Sequence, residues 1–409
     1  MPKFGAYPAA TLPTAADVLL AKSGGVTKRM TLAQVRELNL FNVKDYGAVG
    51  DGVADDTVAI QAAVTATLEG TRRGGVVYAP LGTYKITSTV TLPDPDGGFQ
   101  DAISIWGDGP TLTTFRWAGA STGFVPMFDV LGQAYCAYRG FGLANGTGAG
   151  RAETVGFWFR GDGHTGGTTG GSAIFEQVSA AGLSRGFIIG DTLDAISEVL
   201  FQLCSFSDCD FGVLAVGQNT LDLAWVLPTF SGNDVGLQFN GAGCGQVYGG
   251  SASNDTVDFK YSTGGAFTLS GFRSEGAGKV LWLETGAGLV EGCSLNAPGS
   301  EDLIALQVEA GTLAVHGSWV EGKIATRSGG NGITIFSSWL GNGAAAGTAM
   351  LVPMAGQTLE AVSLSAAGNR GCPALNGDFM FPNRLSVFDS SNVEHGLIQH
   401  VTTGLITFP

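Results

Sequence analysis

From Phe175 onward the chain repeats a run of the form apolar-x-small-x-small before a polar turn. The runs start at Phe175, Phe201, Val226, Tyr248, Ser270, Val290, His316 and Phe336, 20 to 26 residues apart. A period of this size with no long helical pattern inside it marks a solenoid. Short alternating runs with turns at Gly, Asn and Asp make it an all-β solenoid. Side chains on a strand point alternately to its two sides, so the pattern also assigns faces. Counting from each start, the odd positions carry Phe175, Phe201, Leu203, Val226, Phe230, Phe272, Val290, Val320 and Phe336, which are expected inside the coil. The even positions carry Glu176, Gln202, Arg273, Glu275, Glu291, Trp319, Glu321 and Trp339, which are expected outside. Cys204, Phe206, Leu227 and Leu295 also fall on the outer set, as though part of that face were covered. The opposite register would bury several carboxylates.

Upstream, Phe41–Ile86 changes pattern. Ile60, Ala63, Val64, Thr67 and Leu68 recur at helical spacing behind Asp55 and Asp56, which suit a helix start. Gly70 is placed to end that helix, and Val76, Val77, Tyr78, Ile86 and Val90 supply β-formers around the turn PLGT. Asp51, Asp55 and Asp56 therefore read as turn and cap residues and not as catalysts. Residues 1–40 contain a strand-like run (Asp17–Ala21), a Gly24–Gly25 hairpin and a short helix opened by Thr31, with Gln34 at capping-box spacing. Residues 346–409 lose the period and read as a C-terminal cap or a trimerisation region, because open solenoid ends need covering. The expected division is 1–40, 41–345 and 346–409.

DYGAVGDG (Asp45–Gly52), DDTVAIQAA (Asp55–Ala63) and GGVVYAPLGTYKI (Gly74–Ile86), in that order, resemble the opening of the pectate-lyase-like superfamily. That resemblance implies a right-handed parallel β-helix with an N-terminal capping helix. The preceding segment is similar to the virion-attachment segment of some bacteriophage tailspikes and tail fibres. Such a resemblance implies a homotrimer, joined through residues 1–40 to other tail or baseplate proteins. It would recognise, and often cleave, a bacterial surface polysaccharide. The polygalacturonase signatures NTD, GHG and RIK are missing, as is the calcium-binding aspartate cluster with its arginine base that a pectate lyase would show. Pectin degradation is not expected, and no metal or other cofactor is implied.

Composition sharpens this picture. The 65 glycines are scattered singly through apolar runs, as corners between short strands would require. A net charge of −14 argues against nucleic acid, which needs clustered Lys and Arg. The six cysteines form no zinc set and read as free, mostly buried thiols. No apolar run reaches the length that spans a bilayer, and MPKFGAYPAAT has no signal-peptide core, so synthesis in a cytoplasm without ordinary export is expected, which fits the virion location that the resemblance implies.

The sharpest chemical constellation is Arg273 and Glu275 with Trp319 and Glu321. Glu275 and Glu321 share the sixth position of two turns, separated by the turn carrying Leu295. At the usual strand spacing their carboxylates stand roughly 9–10 Å apart. An inverting glycosidase uses a pair roughly 6.5–9.5 Å apart, one carboxyl as acid and one as base. Trp319 and Trp339 would offer flat faces to sugar rings, and Arg273 could hold a hydroxyl or carboxylate. Asp255, in SNDTVD just before Arg273, is a further binding candidate. The alternative reading of these residues is a solvated polar face with the tryptophans at a subunit contact. Asp191, Asp194, Glu198, Asp208 and Asp210 fall in turns, where Asp is ordinarily a turn former. His164, in the glycine-rich loop Gly161–Gly171, could move a proton, and so could His316 if the chemistry were β-elimination.

Overall fold

A computed structural model describes residues 39–341 apart from short connecting segments, of which 94–101, 162–169 and 298–303 are the longest. It also describes the strands Val18–Ser23, Val26–Thr31, Leu351–Pro353, Val362–Leu364, Ser386–Phe388 and Glu394–Gly396. The chain winds as a parallel β-solenoid. A typical turn supplies three strands in succession, such as Leu221–Val226, Thr229–Ser231 and Val235–Asn240. Each pairs in parallel with its counterpart one turn on: Leu223 with Gly245, Thr229 with Ser251, Val235 with Val257. The third stack is an eleven-stranded sheet. In earlier turns the first two stacks merge in the long strands Ala137–Asn145 and Gly170–Ala181.

Stacking puts like side chains above one another. One interior column runs Phe175–Phe201–Trp225–Val247–Leu269–Val290–Val315. The Phe175 and Phe201 rings lie 4.7 Å apart at 8°, and Phe201 and Trp225 lie 5.2 Å apart at 3°. A second column runs Ala180–Phe206–Phe230–Ala252–Ser274–Leu295–Val320. Large rings fill the upstream half of the core and smaller aliphatics the downstream half.

Half of the expected register needs correction. Val226, Tyr248, Ser270, His316 and Phe336 lie one residue beyond the interior column, in line with Glu176 and Gln202. Leu203 is 45% exposed instead of buried, whereas Cys204, Phe206 and Leu295 are core residues and not part of the outer face. The cause is the corner between the first and second strands. Gln177, Leu203 and Leu227 there have φ of 51°, 54° and 52°, and Gly249, Gly271, Gly292 and Gly317 follow at 63°, 64°, 61° and 58°. A left-handed residue places two successive positions outside, so strict alternation cannot be carried across it. Phe230, Phe272 and Val320, counted beyond the corner, are buried as expected.

Near the first turns the helix Thr57–Ala66 buries Ile60, Ala63 and Val64 against the solenoid core. Asp55 Oδ1 accepts the Thr57 amide at 3.1 Å, a helix-start bond. Asp56, 1% exposed, instead accepts the amides of Val49 at 2.6 Å and Gly50 at 3.2 Å, fixing the glycine turn. Asp51 accepts those of Val53 and Ala54 at 2.8 and 2.9 Å. All three acids are committed to backbone. Val18–Ser23 and Val26–Thr31 form an antiparallel hairpin, as the GG turn suggests. The expected helix after Thr31, the helix stop at Gly70 and the loop holding His164 lie outside the described residues.

Candidate functional site

The candidate side chains come from the short second strand of successive turns. Arg273–Glu275, Ser294–Asn296 and Trp319–Glu321 have three residues each. The middle residue points inward, and Ser274, Leu295 and Val320 are all 0% exposed. Its neighbours must then point outward. Pairing gives two outer columns, Arg273–Ser294–Trp319 and Glu275–Asn296–Glu321, and Trp339 follows Trp319 in backbone register. Glu275 and Glu321 therefore share a column two turns apart, about 9–10 Å by strand spacing. Asn296 stands between them; Leu295, expected in that place, is inside.

Arg273 donates from its guanidinium to Glu275 Oε1, and both side chains are exposed. The Trp319 indole N–H reaches Glu321 Oε2 at 3.4 Å. Trp319 is 46% exposed, whereas Trp117 and Trp225 are sealed in the core. Across the glycine corner, His316 Nδ1 lies 3.5 Å from Glu291 Oε1. Asn296 and the contact between Glu291 and His316 were not read from sequence, although His316 itself was named as a base for β-elimination. Alignment across the corner, with Gly292 and Gly317 matched, is the signal that would have found them. The assembled face is open and slightly anionic, with an indole plane beside two carboxylates and an amide between them. That arrangement can hold a polymer along its length and offer an acid and a base to one linkage.

Asp255 is not on this face. It is 2% exposed, and its Oδ1 accepts the Asn233 amide at 2.6 Å and Asn233 Nδ2 at 2.9 Å. Burial raises its carboxyl to about 7. Two of the acids expected in turns are likewise occupied. Asp210 accepts from Arg151 at 2.9 Å and from Ser184 at 2.7 Å, and Glu198, which lies on the strand Ile196–Gln202 and not in a turn, accepts from Ser172. Asp194 lies outside the described residues. Among the described residues no group of three His, Cys, Asp or Glu side chains could hold a metal ion. Cys136, Cys204, Cys209, Cys244 and Cys293 are free, all buried except Cys244. Burial pushes the thiols of Cys136, Cys204 and Cys209 up to about 12, so they are poor nucleophiles.

Residues 40–130 match the family described as rhamnogalacturonase A/epimerase, pectate lyase-like. Over 77 residues the chain is 40% identical to mannuronan C5-epimerase AlgE1 of Azotobacter vinelandii, covering 19% of this chain and only 5% of that protein's length. Among solved structures, ORF18 of Geobacillus virus E2 superposes with a TM-score of 0.53 at 15% identity, over 91% of this chain and 68% of that one. The enzymatically active domain of bacteriophage CBA120 tailspike protein 2 gives 0.51 at 13% identity, over 86% of this chain and 49% of that one. At such identities the likeness is one of fold. The chain thus shares a parallel β-helix fold with these two phage proteins, and its pectate-lyase-like family match is confined to residues 40–130.

Proposed function

We propose that this β-helix is a phage tailspike that binds a bacterial capsule or O-antigen along its outer face and hydrolyses it. The observation carrying the proposal is the shared column of Glu275 and Glu321, two turns apart, beside the column of Arg273 and Trp319. Glu275 and Glu321 act as the acid/base pair, with a water between them attacking the anomeric carbon from the face opposite the leaving oxygen. Asn296 lies between them, placed to orient that water or a sugar hydroxyl. Trp319, with Trp339 in register behind it, forms the platform for sugar rings. The exposed face carries Glu275, Glu291 and Glu321 against Arg273 and His316, and the charge balance favours a neutral glycan over a polyuronate. The fold likeness to phage tail proteins supports a virion role, with three copies assembled and residues 1–40 attached to the tail.

A binding-only tail protein is the second reading. It is favoured by the openness of the face, since Arg273 and Glu275 keep 65% and 54% of their side-chain surface exposed instead of lying in a cleft. Digestion of a panel of capsular and O-antigen polysaccharides, with products read by mass and by the anomeric NMR signal, separates the readings. Hydrolysis adds one water per cut and releases the inverted anomer. Unsaturated ends would mean β-elimination, and undiminished chain length with every glycan would mean binding alone.

A further inference from the structure

Directly behind the strand Arg273–Glu275 the core holds an acid pair. In the column Ala180–Phe206–Phe230–Ala252–Ser274–Leu295–Val320 only Ser274 is polar. Its hydroxyl donates to Asp258 Oδ2, and Asp258 is 0% exposed. Asp258 lies on the strand Val257–Tyr261 of the eleven-stranded sheet, one turn above Gly236 and one below Val280. Gly236 leaves the room the acids occupy: a Cβ there would sit 3.0 Å from Asp255 Oδ2.

Asp255 itself ends a ladder of side chains climbing one corner of the coil. Asn233 accepts the Cys209 amide at 3.0 Å and donates to the Phe206 carbonyl at 3.1 Å, and its own amide donates to Asp255 at 2.6 Å. In the next turn that corner is bounded by Gly276 and Gly278, which have no side chains to continue the ladder. The link from Asp255 through Asp258 to Ser274 takes its place and ties this corner to the strand that bears the outer face. The Asp255 carboxyl lies close enough to that of Asp258 to act on it electrostatically. The oxygens not used by Asn233 and Ser274, Asp255 Oδ2 and Asp258 Oδ1, are buried and have no hydrogen-bond partner.

We propose that Asp255 and Asp258 share one proton, and that this protonated pair is a clasp holding the strand Arg273–Glu275 in place through Ser274. One proton between the two orphaned oxygens satisfies both, whereas two buried anions in contact would repel. Asp258 and Ser274 are then positioning residues for Glu275. Their importance for chemistry rests on the proposed function, but the clasp does not.

The charged groups around the pair are few. Arg151 acts on Asp255 from the corner, yet its guanidinium is held by Asp210 at 2.9 Å, Asp234 at 2.7 Å and the Gly232 carbonyl at 3.0 Å. Arg273 and Glu275 flank Ser274 but are exposed on the other side of the strand. Burial raises Asp255 to about 7 and sends Asp258 well above the ordinary carboxylate range, with the neighbouring Asp255 adding to the effect. Both folded values lie above those of an unfolded aspartate. The stabilisation is therefore full below the unfolded value and is lost as pH rises through and beyond about 7, when the shared proton leaves to solvent.

The test follows the melting temperature of the full chain from about pH 6 to about pH 9, together with the infrared carbonyl band of a protonated carboxyl at neutral pH. The wild type is expected to lose roughly 2–4 °C or more over that range and to show the band. Asp258→Asn, whose amide can donate to Asp255 and accept from Ser274, should remove both the band and the slope. Ser274→Ala should keep the band while amide exchange quickens in the strand Arg273–Glu275. A flat wild-type profile, absence of the band, or an unchanged slope in Asp258→Asn would overturn the proposal. The wild-type profile and band decide it even if a variant fails to fold. None of these readouts depends on glycan cleavage, so they stand or fall separately from the proposed function.

Discussion

Leucine seldom occupies left-handed backbone, because its Cβ crowds the following carbonyl at a cost of about 1–2 kcal/mol. Leu203 and Leu227 do so at successive turns of one corner, with φ of 54° and 52° and side chains 45% and 52% exposed. Such exposed chains recover little by packing, so the strain is largely uncompensated within the chain. Leu227→Gly is expected to stabilise the protein by about 1 kcal/mol, seen as a higher denaturation midpoint at unchanged slope. A change in the opposite sense two turns on, Gly271→Ala, has no heavy atom nearer than 3.9 Å to its new Cβ and should still cost about 1 kcal/mol through φ alone. Equal midpoints for these variants and the wild type would remove the strain argument. The buried aspartates make the complementary point. Asp56 and Asp255 read from spacing as a helix cap and a binding residue, yet Asp56 fixes the glycine turn just before it and Asp255 seals the core against Asn233 of the preceding turn.

At the scale of strands and turns, the solenoid was legible because its period survives variation in sequence. Aromatic or aliphatic residues recur at one point of every turn, and glycines recur at its corners. What period alone could not carry was parity across a left-handed corner. Phe201 and Phe206 both face inward although five positions apart, and Leu203 between them faces out. The pairing of Glu275 with Glu321 was nevertheless readable, since both lie beyond the corner and share its offset. Asn296 was not, since the run starting at Val290 had a different offset. The aromatic column gives these turns their strength. Phe201 contacts the rings of Phe175, Phe187, Phe206 and Trp225. Phe201→Ala should destabilise by about 3–5 kcal/mol, measured by denaturant unfolding, with Phe201→Leu well below that. A loss under about 1 kcal/mol would mean that the column is not the mechanical centre of the coil.

For the whole molecule, the consequence of stacking is a long rigid face on which side chains repeat at about 4.8 Å along the coil axis. That geometry suits a polymeric ligand better than a small one, because successive sugars can meet equivalent positions of successive turns. Under the proposed function, the chain's charge of −14 and the glutamates of the outer face favour a glycan without carboxylates of its own. Among the described residues no helix is long and apolar enough to cross a membrane. The upstream aromatic core, the corner ladder and the acid pair all serve to hold this face in register. Its use is tested most directly by the rate of reducing-end release from a susceptible capsule or O-antigen, compared for wild type, Glu275→Gln and Glu321→Gln at equal melting temperature. Each variant is expected to lose about 10²-fold or more, the ordinary contribution of a general acid or base. Release at the wild-type rate by either variant would contradict catalysis by this pair of glutamates.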